Sequence, residues 1–148
     1  MISLSHGPRE LVRKYGGFII NGFRFHTRHR EEKRKTQNSG VLVNVGDIEY
    51  FGILEEIIEL QYDGRLTVVL FKCVWYDVET EVNRIKIGVK ENEFGFTLVN
   101  SKKYLRTTEP FVLASQVLQV FYVDDPGDKD WRIVFRVTPR DLFDMSVD

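Results

Sequence analysis

IEYFGILEEIIELQYDGRLTVVLFKCVWYDV, residues Ile48–Val78, carries the strongest structural signal in the chain. It predicts two long strands joined by a tight turn at Asp63-Gly64, because an Asp-Gly pair supplies the positive φ angles of a two-residue hairpin turn. The second arm, Leu66–Trp75, is apolar on nearly both faces, which is typical of a strand inside a barrel or sandwich. We therefore expect the other strands to be built around this hairpin.

The first arm also fits a helix. ILEEIIEL, residues 53–60, places apolar residues along one helical stripe, and Glu and Leu are good helix formers. We favour a strand because no Ser, Thr, Asp or Asn directly precedes Ile53, and because a turn and a clearly β partner arm follow. A β-bulge near Glu55-Glu56 would reconcile the alternation of side chains, since a bulge places two residues opposite one.

The remaining chain predicts one mostly β domain with short helical turns. Residues 1–16 read as an N-terminal lead with a helical turn from Pro8, and residues 17–148 as a single β-barrel domain. Within that domain, Asn21-Gly22 and Gly46-Asp47 mark hairpin turns, and residues 124–130 a long turn. Residues 28–39 are predicted to form an exposed basic loop. Further strands are predicted at residues 40–45, 84–89, 94–99, 117–123 and 131–137.

The chain of 148 residues is 43% hydrophobic, which suits one globular domain, and the absence of a long apolar run predicts no membrane span. Its net charge of −1 is unevenly distributed. Residues 1–43 hold 9 Lys and Arg against 3 Asp and Glu, whereas residues 44–148 hold 12 against 19. A basic arm before an acidic body indicates either an anionic partner for the arm or an arm that packs on its own domain.

The sequence offers no catalytic constellation. His26 and His29 lack the further ligands that a zinc site needs, and we interpret them as loop histidines. Cys73 lies inside a predicted core strand, where a thiol is normally inert, and a single cysteine indicates a reducing compartment. No glycine-rich phosphate loop precedes a helix. We therefore predict a non-enzyme with no metal and no cofactor.

Aromatic residues at the end of the second arm suggest a ligand site. Aromatic rings beside a carboxylate can form a cage for a methylated ammonium group through cation–π attraction. The competing interpretation is that Trp75 belongs to the core and Tyr76 packs at the strand end. The candidate cage residues are Tyr50, Phe51, Trp75, Tyr76, Asp77 and Glu79.

A basic segment offers the alternative, contact with nucleic acid. Lys and Arg side chains bind phosphates and make the affinity depend on salt. Two glutamates interrupt the segment, and charge runs of this kind are commonly solvated loops. The candidate phosphate-binding residues are Arg24, Arg28, Arg30, Lys33, Arg34 and Lys35.

Several long phrases carry a family resemblance: INGFRFHTRHREEKRKTQNSGV, YFGILEEIIEL, VVLFKCVWYDV, FGFTLVN, EPFVLASQVLQVFYVDDP and VTPRDLFDM. They resemble a plant domain of unknown function, number 4216, which follows the transposase core in CACTA (En/Spm-type) transposon proteins. The resemblance runs from about Gly17 to Met145. It implies a plant, transposon-derived protein in the nucleus, and it supplies no known activity.

A second resemblance is to bromo-adjacent homology (BAH) domains, chromatin modules with a β-barrel core. It rests on residues 53–60, on the valine-rich strand ending in Trp75-Tyr76, and on residues 111–123. Asp77-Val78-Glu79-Thr80 stands where those domains often have Arg-Pro-Glu-Glu. The resemblance implies an SH3-like or BAH-like barrel that binds a histone tail or another basic peptide at Trp75 and Tyr76. The alternative is an accessory DNA-binding module of a transposase, and homodimerisation through a strand edge remains open.

Overall fold

A computed structural model describes residues 9–31, 37–62, 66–140 and 145–147. Over these residues the chain is mostly strand, with one α-helical turn, α1 (Arg28–Glu31), and a 3₁₀ turn at Ala114–Gln116. The predicted mostly β fold is therefore confirmed. In chain order the strands are β1 (Arg9–Tyr15), β2 (Gly17–Ile20), β3 (Phe23–His26), β4 (Gly40–Val45), β5 (Ile48–Tyr62), β6 (Leu66–Trp75), β7 (Glu81–Val82), β8 (Ile85–Lys86), β9 (Val89–Glu91), β10 (Thr97–Asn100), β11 (Phe111–Leu113), β12 (Leu118–Asp125), β13 (Asp128–Arg136) and β14 (Met145–Val147).

One antiparallel sheet of nine strands curls into a half-barrel. Its order is β11-β6-β5-β4-β12-β13-β10-β9, and β1 pairs with β5 off this path. Two smaller sheets, β14-β2-β3 and β7-β8, accompany it. None of the helical segments in the described ranges has the length and apolar character that crossing a bilayer requires.

β5 links the half-barrel together. From Gly52 onward one of its edges pairs with β6, while the other edge pairs with β4 over residues 48–53 and with β1 over residues 57–62. Three partner strands thus satisfy the backbone groups that a helix would have satisfied internally. The strand interpretation of residues 53–60 is confirmed, and the register shift between Leu54 and Glu56 is the predicted bulge.

Two of the predicted turns are present. Ile20 pairs with Phe23 across Asn21-Gly22, where both residues have positive φ angles of 53° and 81°, as a type I′ turn requires. Val45 likewise pairs with Ile48 across Gly46-Asp47, where only the first turn residue, Gly46, has a positive φ, of 61°. Glycine is suited to both positions because it has no Cβ to clash in the left-handed region.

Three local predictions have a different outcome. Residues 9–15 form β1 rather than part of a helical turn, because their backbone pairs with β5. The predicted long turn at residues 124–130 is shorter, since β12 and β13 continue as strands to Asp125 and from Asp128. The predicted turn at Asp63-Gly64 lies outside the described residues, and the paired ends Tyr62 and Leu66 leave three residues between them.

Core side chains pack on both faces of the sheet, since the consecutive residues Trp75 and Tyr76 are both buried, and Gly52 is the tightest point of β5. The large side chains that are fully buried include Trp75, Tyr76 and Phe51. The hydroxyl of the buried Tyr122 donates to the carbonyl oxygen of Gly52 at 2.8 Å. A Cβ at position 52 would lie 2.7 Å from Cε3 of Trp75 and 2.8 Å from the carbonyl oxygen of Val74. Trp75 and β6 therefore pack against β5 only because residue 52 has no side chain.

We expect Gly52→Ala to lower the free energy of unfolding by about 1–3 kcal/mol, the usual cost of overpacking a core. Urea unfolding followed by tryptophan fluorescence measures the change. Gly127→Ala is the control, because the nearest atom to a Cβ there is 3.7 Å away, in ordinary van der Waals contact. Equal stability of the two variants would contradict the packing described here.

Candidate ligand-binding site

Trp75 and Tyr76 are core residues in this structure. Trp75 is 1% exposed and Tyr76 0% exposed. The indole Nε1 of Trp75 donates to the carbonyl oxygen of Pro110 at 3.0 Å, which satisfies its one polar group inside the protein. No face of either ring is open to a ligand, so the cage predicted at these two residues is not formed in this conformation.

Tyr76 belongs to an internal aromatic cluster. Its ring stacks on Tyr104 at a centroid distance of 5.4 Å and meets the edge of Tyr122 at 5.2 Å. Its hydroxyl accepts a hydrogen bond from the Arg132 guanidinium at 2.9 Å. Burial raises the pKa of Tyr76, and the positive charge of Arg132 partly offsets this. Tyr104 is the exposed end of this cluster, and the sequence analysis did not identify it.

The side chains of Tyr50 and Phe51 point to opposite faces of β5, because the two residues are neighbours on one strand. Successive side chains of a strand point to opposite faces. Both side chains belong to the buried core, with Phe51 2% and Tyr50 8% exposed. Tyr50 keeps its hydroxyl at the surface end of its ring, where it donates to Oε2 of Glu79 at 2.6 Å. Of the predicted cage residues, the structure therefore brings together Tyr50 and Glu79.

Asp77 shapes the chain that carries Glu79. Its buried Oδ1 accepts the backbone N–H of Glu79 at 2.9 Å and that of Thr80 at 3.0 Å, which turns the chain immediately after β6. Burial disfavours the charged form of Asp77, but hydrogen bonds from Thr80 and Glu79 outweigh it and lower the pKa of this carboxyl. Asp77 is thus a structural residue that positions Glu79 rather than a ligand group.

The hydrogen bond between Tyr50 and Glu79 is short and charge-assisted. The bond to Glu79, then burial, then the Glu79 charge raise the pKa of Tyr50 to about 12. Each of the three disfavours a phenolate next to a carboxylate. Tyr50 therefore stays protonated at neutral pH, and it holds the Glu79 carboxylate in a defined position.

Tyr50 and Glu79 line a surface pocket of about 270 Å³. Glu109 adds a second carboxylate, and Val45 and Leu105 add apolar surface. Two carboxylates beside an aromatic ring suit a cationic side chain, which can pair with the acids and lie along the apolar surface. The other residues that line the pocket are Arg106 and Thr107.

The second wall of this pocket has no signal in the sequence. Leu105, Arg106, Thr107 and Glu109 fall in a segment that resembled an ordinary polar loop. The backbone N–H of Leu105 bonds to the carbonyl oxygen of Trp75 at 2.8 Å, which brings that loop beside the end of β6. No sequence pattern marks this long-range contact, so the pocket could not be assembled from spacing alone.

The basic segment contacts its own domain where the structure describes it. Arg28 begins α1 and pairs with Glu55 at 3.1 Å, and Lys14 pairs with Glu56 at 3.2 Å. Thr27 begins the helical turn by accepting the backbone N–H of Arg30 at 3.3 Å. Arg24 is exposed. The other predicted phosphate-binding residues, Lys33, Arg34 and Lys35, lie outside the described residues.

Cys73 and the histidines bring no further chemistry to the pocket. The Cys73 thiol is buried, and burial raises its pKa well above its ordinary value. His26 is buried beside β2, whereas His29 is exposed on α1. Within the ranges that the structure covers, no three His, Cys, Asp or Glu side chains gather closely enough to hold a metal ion.

Comparison with known proteins returns one family. The model described as Domain of unknown function (DUF4216) matches residues 58–134, slightly more than half of the chain. The match begins within β5 and ends within β13, so it includes Glu79 and Glu109 but not Tyr50. No curated protein and no solved structure matches the chain.

Glu79→Gln should lower the pKa of Tyr50 from about 12 toward 10.0, because it removes the hydrogen bond to a carboxylate, which is the largest cause of the shift, and also the charge that opposes the phenolate. Tyrosine labelled with ¹³C at Cζ reports the titration of each ring by NMR. Glu109→Gln is the matched control, because this glutamate lines the pocket without contributing to the shift. If both variants leave the titration of Tyr50 unchanged, the hydrogen bond between Tyr50 and Glu79 does not form in solution.

Asp77→Asn should lower the free energy of unfolding at pH 6 by about 1.5–3 kcal/mol, the range for hydrogen bonds to a charged group. The folded-state pKa of Asp77 lies below its ordinary value of 3.8. Its contribution is therefore present above pH 3.8 and is lost as the pH falls through the folded-state value.

The stability gap between wild type and Asp77→Asn should shrink below pH 3.8, as measured by urea unfolding across an acidic pH series. Glu93→Gln, at an exposed site, should leave stability nearly unchanged. A gap for Asp77→Asn that is constant with pH would show that the charge of Asp77 is not what orders this turn.

Proposed function

The chain belongs to the DUF4216 family of domains of unknown function, and from this premise we propose that it is a non-catalytic protein-interaction module for a basic peptide. The pocket formed by Tyr50, Glu79 and Glu109 is the observation that carries the proposal. A Lys or Arg side chain would place its charge between the two carboxylates and its aliphatic stem along Val45 and Leu105.

The charge of the domain supports this ligand class. Residues 44–148 hold 19 acidic against 12 basic side chains, and such an excess attracts cationic partners. On β5, however, Glu55 and Glu56 are neutralised by Arg28, Lys14 and Lys72. Among the residues described, no ion pair is present at Glu79 or Glu109, so the pocket presents two unpaired carboxylates against the single cation of Arg106.

Within this class of ligand, we propose a histone tail as the basic peptide. We further propose that the chain is part of a nuclear, plant, transposon-derived protein. The support is the resemblance to transposon-associated and BAH domains, together with a curled β-sheet in which β6 ends at Trp75 and Tyr76 follows directly. An SH3-like or BAH-like origin of the half-barrel belongs to the same proposal. Since Trp75 and Tyr76 are buried, the pocket has a single aromatic wall, Tyr50. Unmodified lysine, which keeps its N–H donors, therefore suits the pocket better than trimethyl-lysine.

The accessory DNA-binding module remains the alternative. Arg24 is its exposed candidate in the described part of the chain, whereas Arg28 is paired with Glu55. Phosphate contacts would make the affinity fall steeply with salt, so a short DNA duplex titrated at two salt concentrations tests this alternative beside the peptide.

We expect a histone H3 tail peptide to shift the amide NMR signals of residues 50, 79 and 105–109 in the ¹⁵N-labelled chain. Glu79→Gln should weaken binding of the peptide about two- to fivefold, the effect of removing one exposed ion pair. Glu79→Gln with Glu109→Gln should weaken it further. The trimethyl-lysine peptide should bind no more tightly than the unmodified one.

Glu93→Gln removes the same charge far from the pocket and is the matched control. Equal losses for Glu93→Gln and Glu79→Gln would mean that only the overall charge of the domain attracts the peptide. If the domain preferred the trimethyl-lysine peptide and the signals of Trp75 and Tyr76 shifted, the binding site would be an opened aromatic cage rather than the pocket. Shifts at Arg24 with DNA alone would favour the alternative.

A further inference from the structure

The half-barrel leaves a second cleft on its concave side, between the beginning of β5 and the strands β9 and β10. Its volume is about 380 Å³. Val89 pairs with Val99, which is fully buried in the core, so Val89 and Glu91 point to the concave side. Lys90 points to the convex side, where its ammonium lies 4.1 Å from the centroid of the Trp131 ring. The opposite wall of the cleft is formed by Asp47, Ile48, Glu49 and Phe51.

β9 is the last strand of the sheet, and its backbone is partly unused. Asn100 N–H bonds to Gly88 O, and Asn92 N–H bonds to Phe96 O, each at 2.9 Å. Because hydrogen-bonded and non-bonded pairs alternate in an antiparallel ladder, Lys90 bonds to β10 whereas Val89 and Glu91 direct their N–H and C=O groups outward. No strand of the described residues pairs with this edge of β9.

The floor and mouth of the cleft are apolar. Val78 is buried at its base and Val89 is half-buried beside it, while Ile48 on the opposite wall is 44% exposed. Ile48 directly follows the turn residues Gly46-Asp47 and begins β5, where a large exposed apolar side chain has no role in the turn itself. An apolar side chain entering the cleft would cover surface of all three residues.

The charges in the cleft favour a cation. Nη2 of Arg136 donates to both carboxylate oxygens of Glu49, at 2.7 and 2.9 Å. Lys86 pairs with Glu81 at 3.4 Å. Asp47 and Glu91 also line the cleft, and neither forms an ion pair within the described part of the chain. Lys90 also lines the cleft, but its ammonium lies over the Trp131 ring, so the charges of the cleft that have no such partner are the carboxylates of Asp47 and Glu91.

We propose that this cleft binds an extended basic peptide by strand addition to the free edge of β9. The backbone of the peptide continues the sheet, an apolar side chain enters between Ile48, Val78 and Val89, and flanking Lys or Arg side chains meet Asp47 and Glu91. This site is separate from the Tyr50 pocket, because the two share no lining residue. It does not depend on that pocket binding anything.

The probe is acetyl-Thr-Lys-Thr-Val-Thr-Lys-Thr-amide, in which Lys and Val share one face of the extended chain. Titrated into the ¹⁵N-labelled 148-residue chain, it should shift the amide signals of residues 47–49 and 89–91. Binding should also slow hydrogen exchange at Val89 and Glu91, whose N–H groups become bonded. A peptide with Glu in place of Lys should bind at least about fivefold more weakly, since it loses attraction and gains repulsion.

Backbone N-methylation separates strand addition from charge attraction. Residues bonded to Val89 and Glu91 lie on the same concave face as these two, so the peptide N–H groups of Val and Lys face β9. N-methylation at Val should weaken binding about tenfold, because it removes one hydrogen bond and prevents close approach of the strands. N-methylation at the neighbouring Thr, whose N–H faces away, is the matched control and should change binding little.

Variants of the protein complete the test. Asp47→Asn and Glu91→Gln should each weaken the probe about two- to fivefold, whereas Glu93→Gln and Tyr50→Phe should leave it unchanged. Three results would overturn strand addition at β9: no shifts at millimolar probe, equal losses for the two N-methylated peptides, or shifts confined to residues 50, 79 and 105–109. The last result would support the Tyr50 pocket and exclude the β9 cleft, so the two proposals fail separately.

Discussion

The pairing of β5 with three strands is the constraint on which the rest of the half-barrel depends. A strand of this length would expose a long row of backbone groups if either edge were free, and such edges are prone to aggregation. Here β6 covers one edge while β4 and β1 divide the other. The bulge near Glu55 lets the strand bend between its two halves, and sheet curvature commonly arises at such positions.

Burial determines which of the conspicuous side chains are available for binding. A large aromatic ring stabilises the protein most when it is removed from water, and Trp75 can be buried because Pro110 accepts its N–H. Tyr76 can be buried for the same reason, because the Arg132 guanidinium donates a hydrogen bond to its hydroxyl. Two acidic residues follow them on the chain. Asp77 holds a turn by accepting backbone N–H groups, whereas Glu79 keeps its carboxylate at the surface. A strand end that resembles a ligand cage in sequence thus serves mainly as the centre of the core.

The acidic side chains of the domain divide into those that have basic partners and those that do not. The acidic outer positions of β5 meet basic residues of the N-terminal region, and these contacts account for Lys14 and Arg28 within the domain. The carboxylates that keep no basic partner in the described structure lie at two edges of the half-barrel, at Glu79 and Glu109 and at Asp47 and Glu91. Both proposals for basic peptides follow from this distribution, since an unneutralised carboxylate beside apolar surface attracts a cationic side chain with an aliphatic stem.

Local chemistry was sufficient to predict the mostly β fold, the central hairpin, its bulge, and the turns at Asn21-Gly22 and Gly46-Asp47. These features depend on residues close together in the chain: the alternation of side chains, and glycines that accept positive φ angles. The strand character of residues 9–15 could not be predicted, because it arises from pairing with β5 about fifty residues away. The burial of Trp75 and Tyr76, the approach of Leu105 to the end of β6, and the free edge of β9 are likewise consequences of how the sheet curls. Spacing in the sequence describes which residues share a face, but only the tertiary structure determines whether that face is covered by Pro110 and Tyr104 or remains in contact with solvent.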